Sequence, residues 1–427
     1  MTITVFLVSL CGAMAMGIPV AISLLICGIA LMFYLGQFDT QILASNLMDG
    51  ADNFPLMAIP FFILAGELMN AGGISKRIIN FAMSLVGHIR GGFGYVAIIA
   101  SVIFSGLSGS AVADTAALGA ILIPMMASAG YNKPRSGALI ASAGIIAPIM
   151  PLSVPMIVFG VTAGVSIPKL FMSGIFPGFL LAVFLAVAWA WMVRKDDFKV
   201  EPRRTLSETL VAARGAAWAF VLPFVIIFGL RGGVFTPTEA ASIAAWYALF
   251  VGMFVYRELT PKTLVKVLIS SAKTTSVIML LAASAMVSSW LITVANIPDQ
   301  IVDLLRPLMG NKILLMLAIN LIVLMVGTAM DVMPTILILT PVLMPIVKMA
   351  GIDPIYFGFM FVFNNCIGLL TPPVGTVLNV AAGVGKISME DIIKSVMPFM
   401  WIEIGLLLLL TVFPDLVIVP LNFFTHR

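Results

Sequence analysis

Phe104-Ser105-Gly106-Leu107-Ser108-Gly109-Ser110-Ala111-Val112-Ala113-Asp114 is a small, polar, glycine-rich interruption in an apolar run that otherwise extends from Gly94 to Ala129. In hydrocarbon an unpaired backbone amide or carbonyl costs several kcal/mol, so irregular backbone at depth survives only where protein, a water-filled space or a ligand satisfies it. A broken segment of this kind is a place to look for an ion.

A second stretch has the same character. Val326-Gly327-Thr328-Ala329-Met330-Asp331 is followed, after a further hydrophobic run, by Asn364-Asn365-Cys366-Ile367-Gly368-Leu369-Leu370-Thr371-Pro372-Pro373-Val374-Gly375-Thr376. The two regions can be laid on each other. Gly109-Ser110-Ala111 falls on Gly327-Thr328-Ala329 at an offset of 218, while Pro124, Ala129-Gly130 and Pro151 fall on Pro345, Ala350-Gly351 and Pro372 at 221. Upstream, Ile74 falls on Ile297 and Leu85-x-Gly87 on Leu308-x-Gly310 at 223. A near-constant offset at several places marks an internal duplication.

Composition fixes the environment. Of the residues, 61% are hydrophobic and 10% charged, against about 25% charged in soluble domains. Continuous apolar blocks such as 179–193 and 402–412 exclude a β-barrel, whose strands alternate in polarity. The chain is therefore expected to be an all-α polytopic protein of the lipid bilayer. Its net charge of +4 lies in loops and implies no nucleic-acid partner. Cys11, Cys27 and Cys366 sit in apolar runs without CxxC spacing and are expected to be buried free thiols. The run 1–36 lacks a basic leader and cleavage signal; interrupted at Gly17-Ile18-Pro19, it is long for one span and short for two.

Along the chain, 54–71 is a span carrying Glu67, and 74–88 is amphipathic. The 136–174 run is broken at Ala147-Pro148-Ile149-Met150-Pro151-Leu152-Ser153-Val154-Pro155, where three prolines remove amide donors. Residues 194–204 hold five basic side chains in eleven and form a cytoplasmic linker. Spans over about 216–230 and 239–256 return the chain to basic Arg257, Lys262, Lys266 and Lys273. Thr236-Pro237-Thr238-Glu239 reads as a capping box. The second copy runs through 274–294, 298–309, 313–330, 333–349 and 356–370. Its connectors mix Asp299, Asp303, Arg306, Lys312, Lys348 and Asp353, where the first copy has Lys76, Arg77, Arg90, Lys133 and Arg135. Basic connectors in one copy and mixed ones in the other are what an inverted topology leaves under the positive-inside rule.

Inverted repeats with paired broken helices point to a secondary-transporter site. Carbonyls freed at Gly109 and Pro148, with the hydroxyls of Ser105, Ser108 and Ser110, offer oxygen ligands to a hard cation. Gly327, Thr328, Gly368 and Thr371 offer a matching set. The plainer alternative is that these small residues only allow close helix packing. Asp114 and Asp331, just after the two breaks, could bind protons, cations or a helix N-terminus; Glu403 is alone in a late span and its role is left open. Gly106-Leu107-Ser108-Gly109 matches the GxSG of intramembrane serine proteases, but His88 and His426 both lie outside apolar spans. With no HExxH, GxGD or GxxxxGK[ST] either, the chain is not expected to be an enzyme, and transport would run on an ion gradient.

Ser108-Gly-Ser-Ala-Val-Ala-Asp114-Thr-Ala, Gly233-Val-Phe-Thr-Pro-Thr-Glu239-Ala-Ala, Asp331-x-x-Pro-Thr335 and Gly368-x-x-Thr-Pro-Pro-Val-Gly375 together resemble the large membrane subunit of tripartite ATP-independent periplasmic (TRAP) transporters. The resemblance spans the chain. It implies a multi-pass bacterial inner-membrane importer coupled to two or more Na+. The implied fold is of elevator type, with two re-entrant helical hairpins and broken helices in a body that slides against a scaffold. The corresponding segments are scaffold helices over 1–53, a first repeat over 54–175, and scaffold helices over 176–276 with the linker 194–205. A second repeat over 277–395 and a C-terminal helix over 396–427 follow.

The implied sodium ligands are Ser105, Ser108, Gly144, Ala147 and Pro148 in the first copy. In the second they are Gly327, Thr328, Met330, Gly368 and Thr371. A substrate carboxylate would lie near Ser110, Asp114, Pro151, Asp331, Asn365 and Pro373. The implied partners are a small four-helix membrane subunit and a periplasmic substrate-binding protein, and the implied substrates are organic acids: sialic acids, sugar acids or C4-dicarboxylates, with the sequence closest in character to the first two. The competing readings are a single-component Na+ or H+ symporter of the same superfamily and a purely structural scaffold.

Overall fold

A computed structural model describes residues 2–425 other than 195, 197, 199 and 373, and the side chains of all of these but 3, 303 and 304. The ambiguous first run resolves into two helices, α1 (Thr2–Ala15) and α2 (Val20–Tyr34). Gly17 turns at φ 78° and Pro19 takes the N-cap position of α2, so the chain folds back on itself and the two helices pack together. There follow α3 (Thr40–Ala51), α4 (Ala58–Ala71) behind a 3-10 turn, the amphipathic α5 (Ile74–Val86), α6 (Gly92–Ser108) and α7 (Ala111–Ser128). After these come α8 (Lys133–Gly144), α9 (Val154–Ala163), α10 (Ile167–Met192), α11 (Leu206–Arg231) and α12 (Pro237–Phe250), the last prolonged by a π turn. The remaining helices are α13 (Pro261–Val294), α14 (Ile297–Leu305), α15 (Lys312–Ala329), α16 (Val332–Met349), α17 (Pro354–Gly368), α18 (Thr376–Gly385), α19 (Met389–Val412) and α20 (Asp415–Thr425).

Among the described residues nine helices are long and apolar enough to cross a membrane, and α8 with its 3-10 turn forms a further bent pair with α9, at 41°. The chain is thus an all-helical, multi-pass membrane protein, as expected. Several spans outrun their sequence limits: α13 is a single helix of 34 residues where a span over 274–294 is expected. The boundaries at 175, 276 and 395 fall inside α10, α13 and α19. Thr236 and Glu239 form the expected capping box, and Thr205 and Glu208 form a second one at the start of α11, so both carboxylates have a structural task. Each Glu accepts from the amide and hydroxyl of its cap residue. Cys27 and Cys366 are buried, but Cys11 is exposed on the outer face of α1, contrary to expectation, because the apolar run there faces outward.

The duplication appears as matched element starts. Helices α7 and α16 begin at 111 and 332, and α8 and α17 at 133 and 354, each 221 apart. Helices α10 and α19 begin at 167 and 389, 222 apart. The break between α6 and α7 is Gly109-Ser110 and that between α15 and α16 is Met330-Asp331, again 221 apart. This corrects the offset of 218: Ser110 is matched by Asp331, not by Thr328. The two copies interleave. The α7 arm of the first hairpin packs on α18 of the second broken helix, and α16 packs on α9 of the first; likewise α19 packs on α8 and α10 on α17.

Packing divides the molecule into two bodies. Helices α1–α5 and α11–α14 pack chiefly on one another, through α4 with α12, α13 with α2, α3 and α4, and α11 with α5. Helices α6–α10 and α15–α20 form the second body. The seam joins α4, α5 and α11 to α6, and α13 and α14 to α16. Polar clasps lie within the bodies. Arg77 on α5 pairs with Glu258 at 2.6 Å and stacks 3.8 Å over Tyr256. Arg135 on α8 pairs with Asp196, whose carbonyl accepts from Arg90.

Candidate functional site

The first break is built by glycine geometry. Gly109 takes the left-handed region at φ 61°, which ends α6, and Ser110 caps α7 by accepting from the Ala113 amide at 3.3 Å. A methyl group on Gly109 would collide with the Leu152 carbonyl, so the hairpin tip rests directly on the break of the neighbouring helix. That break is itself strained: Leu152 follows Pro151 at φ 76°, the pattern of a type II turn, in a position where a branched side chain is rare. Ser153 then caps α9, accepting from Met156 while donating to the Pro148 carbonyl.

Around this tip the polar atoms are buried. Ser105 Oγ donates to the Val102 carbonyl at 2.6 Å, Ser108 Oγ donates to Asp114, and the Ser110 amide donates to Ser108 Oγ at 3.2 Å. Asp114 is fully buried, and its second oxygen has no partner. Gly144 lies against Thr115, whose hydroxyl is also buried and unpartnered, and a methyl on Gly144 would stand 3.2 Å from the Ala111 carbonyl. Ala147, Pro148 and Pro151 are buried. From the other body, Gly66 of α4 approaches Ser108, and Pro223 of α11 approaches Gly106, each at 3.2–3.3 Å from an added methyl.

The second break has another chemistry. Met330 and Asp331 are both extended, at φ −128° and −70°, and Asp331 caps α16 by accepting from the Val332 amide at 2.8 Å. Asp331 reaches the surface, unlike Asp114. The close approach lies lower in the hairpin. A methyl on Gly368 would come within 2.7 Å of the Gly327 backbone, so α15 and α17 touch main chain to main chain; one on Gly327 would meet Asn365 Oδ1 at 3.3 Å. Asn365 Oδ1 and Asn364 Oδ1 are buried and unpartnered. Thr328 and Thr371 donate to the carbonyls of Met325 and Ile367, at 2.7 and 2.9 Å. Of the sequence-derived candidates, Pro373 lies outside the described residues.

The structure therefore gathers Ser105, Ser108, Asp114, Gly144, Pro148 and Pro151 around the first tip, and Gly327, Gly368, Asn365 and Thr371 around the second pair. Donor chemistry fits a hard cation. Hydroxyls at Ser105, Thr328 and Thr371 spend their protons on carbonyls one turn back, which leaves their lone pairs free to accept. Thr115 and Asn364 add buried oxygens that sequence reasoning missed, with only the duplicated breaks nearby to signal them, and Asn365, expected beside a substrate carboxylate, adds a third. Among the described residues no group of three or more His, Cys, Asp or Glu side chains is placed to hold a metal.

Residues 7–416 match the family described as the tripartite ATP-independent periplasmic transporter, DctM component. The chain belongs to the DctM family. Its DctM relatives include the 2,3-diketo-L-gulonate TRAP transporter large permease protein YiaN of Escherichia coli, 53% identical over 99% of both chains. The sialic acid TRAP transporter large permease protein SiaM of Vibrio cholerae is 38% identical over 95% of both. Among solved structures, the YdaH transporter of Alcanivorax borkumensis, described as having an unusual topology, superposes with a TM-score of 0.61 at 15% identity, covering 87% of each chain. That likeness extends the DctM chain's fold to a further transporter. A DctM-family permease with this many spans is a multi-pass protein of the inner membrane.

Proposed function

We propose that the chain is the large permease of a sodium-coupled importer of sugar-type organic acids, working by an elevator motion. The observation that carries the reading is the paired hairpin and broken helix, present twice, with buried oxygens left without partners at both. Sodium would bind at Ser105, Ser108 and the backbone of Gly144, Ala147 and Pro148, and again at Gly327, Thr328, Met330, Gly368 and Thr371. The substrate carboxylate would sit at the α7 N-terminus near Ser110, with Pro151 and Asn365 beside it. Asp114 would act from beneath, holding Ser108. The body of α6–α10 and α15–α20 would travel against the frame of α1–α5 and α11–α14, since the seam between them is largely apolar and uses the small residues Gly66 and Gly106.

A sugar acid is favoured over a C4-dicarboxylate because the permease matched at 53% identity is named for a keto sugar acid. The word tripartite in the family description supports two partners, a small membrane subunit, expected to have four helices, and a periplasmic binding protein. The test is uptake of radiolabelled 2,3-diketo-L-gulonate and of sialic acid into proteoliposomes holding this chain and its small subunit. Uptake that needs both an inward sodium gradient and the binding protein is the expected result. Sodium-driven uptake without the binding protein would replace the tripartite reading with a single-component symporter, and uptake indifferent to sodium would end the coupling assignment.

A further inference from the structure

The two copies pack crosswise in matched pairs, α19 on α8 and α10 on α17, and these two crossings differ in where they hold an acid. At the α8–α19 crossing stands Glu403, fully buried in the middle of a 24-residue apolar helix, with neither carboxylate oxygen in a hydrogen bond. Its polar neighbour is Ser142 of α8, whose hydroxyl is likewise unpartnered. The positions equivalent by the element starts, 222 and 221 residues away, are Leu181 on α10 and Phe363 on α17, both fully buried. The equivalent positions thus carry Leu and Phe where this crossing carries Glu and Ser. The equivalent helix pair α10 and α17 packs with no acidic side chain on either helix.

An ionised carboxylate at such a place would stand in apolar surroundings without a countercharge, at a cost of several kcal/mol. Among the described residues no basic side chain hydrogen-bonds it. Of the helices packed on α19, α17 contributes Cys366, in electrostatic reach of Glu403, and Tyr356, whose hydroxyl donates to the Leu410 carbonyl of α19 about two turns away. Lys133 and Arg135 on α8, Lys169 on α10, Lys312 on α15 and Asp415 on α20 all lie in the first turn of their helices, and α18 carries no charge. A metal ion would call for a cage of several oxygens, and this crossing offers one hydroxyl and one thiol.

We propose that the α8–α19 crossing is a proton site. Glu403 takes a proton from solvent on one carboxylate oxygen, and the resulting carboxylic O–H has Ser142 Oγ as its acceptor. Both helices belong to the body that carries the hairpins, and α8 is the helix that ends at Gly144, so the proton site and the first cation site share one rigid element. Occupation by a proton would then move with that body.

The direct test is infrared difference spectroscopy of the full chain in nanodiscs, stepped in pH, in H2O and D2O. The wild type is expected to show a protonated-carboxyl C=O band that shifts in D2O. That band should be lost in Glu403→Gln and in Glu403→Leu, which copies the other crossing, and kept in Asp114→Asn. In liposomes, Glu403→Gln should keep sodium-driven uptake and lose its response to an imposed pH gradient. An unchanged band in both Glu403 variants would overturn the proposal, as would a carboxylate band at Glu403 that answers to sodium and not to pH. The spectrum needs no transport, so it reads the proton site even if the importer assignment fails.

Discussion

Helices α6 and α15 are the same element of the two repeats, yet one is enclosed and the other faces out. Helix α6 is gripped by α4, α5 and α11 of the frame, and no large hydrophobic residue on it is exposed. Helix α15 rests mainly on α17 and α19 and exposes Ile313, Leu314, Leu321 and Met325. In the second repeat the frame holds the other arm, α16, through α13 and α14. A duplicated fold has thus been placed in two environments. The enclosed tip is closed by a left-handed glycine and a buried Ser108–Asp114 pair, and the open one by an extended Met330 and an exposed Asp331 cap. The two ion sites expected there are equivalent in topology and unequal in chemistry.

Substitution at the tips should break the comparison most sharply. Gly109→Ala must leave or strain the left-handed region, at about 1–2 kcal/mol, and its methyl meets the Leu152 carbonyl, adding an overpacking cost of roughly 1–3 kcal/mol. Met330→Ala, at the matching position, needs no special backbone. The melting temperature of the purified chain in detergent should fall clearly for the first and little for the second. Equal falls would mean that the tips are held alike.

Next in size are the close approaches behind the tips. Gly368→Ala presses against the Gly327 main chain, which cannot rotate away, and should cost roughly 1–3 kcal/mol. Gly144→Ala presses against the Thr115 side chain, so Thr115→Ala should restore the melting temperature of Gly144→Ala, while no single side-chain truncation restores Gly368→Ala. Rescue of both, or of neither, would show that the two helix pairs are equally rigid.

A third measurement concerns the buried pair. Ser108→Ala leaves the Asp114 carboxylate without its one side-chain donor, at about 1–3 kcal/mol. It should also weaken the apparent sodium affinity of uptake, whereas Thr335→Ala, at the position that matches Asp114, should change sodium dependence less. Unaltered sodium dependence in Ser108→Ala would remove this residue from the site.

The fold was legible where the physics is one-dimensional. Continuous apolar blocks fix the spans, and prolines at 148, 151 and 155 and glycines at 109 and 375 fix the breaks, because each removes a donor or supplies a conformation that few other residues accept. The register of the first break was not legible from residue type. Gly-Ser-Ala and Gly-Thr-Ala match in two letters and in the hydroxyl between them, but small residues recur along both hairpins for close packing, and the helix ends set the true offset of 221. The exposure of Asp331 was hidden for another reason: it depends on which arm the frame grips, a contact between segments hundreds of residues apart. Leu152 at φ 76° had only Pro151 before it as a sign.

That register bears on where a carboxylate can bind. Ser110 and Asp331 occupy the same cap position at the start of α7 and α16, and a helix N-terminus attracts an anion through its free amides. At α16 the protein's own carboxylate already takes that place, accepting from Val332 at 2.8 Å. At α7 the cap is a neutral hydroxyl with a longer bond to Ala113. A substrate carboxylate is therefore expected at α7 alone. Ser110→Ala should raise the KM for the organic acid at saturating sodium. Asp331→Asn should leave KM unchanged or lower it, while costing about 0.3–1 kcal/mol of stability through the lost charge at the helix terminus. The smallest effect thus carries the sharpest sign: a KM that rises in Asp331→Asn and not in Ser110→Ala would move the carboxylate to the open tip and invert the roles of the two repeats.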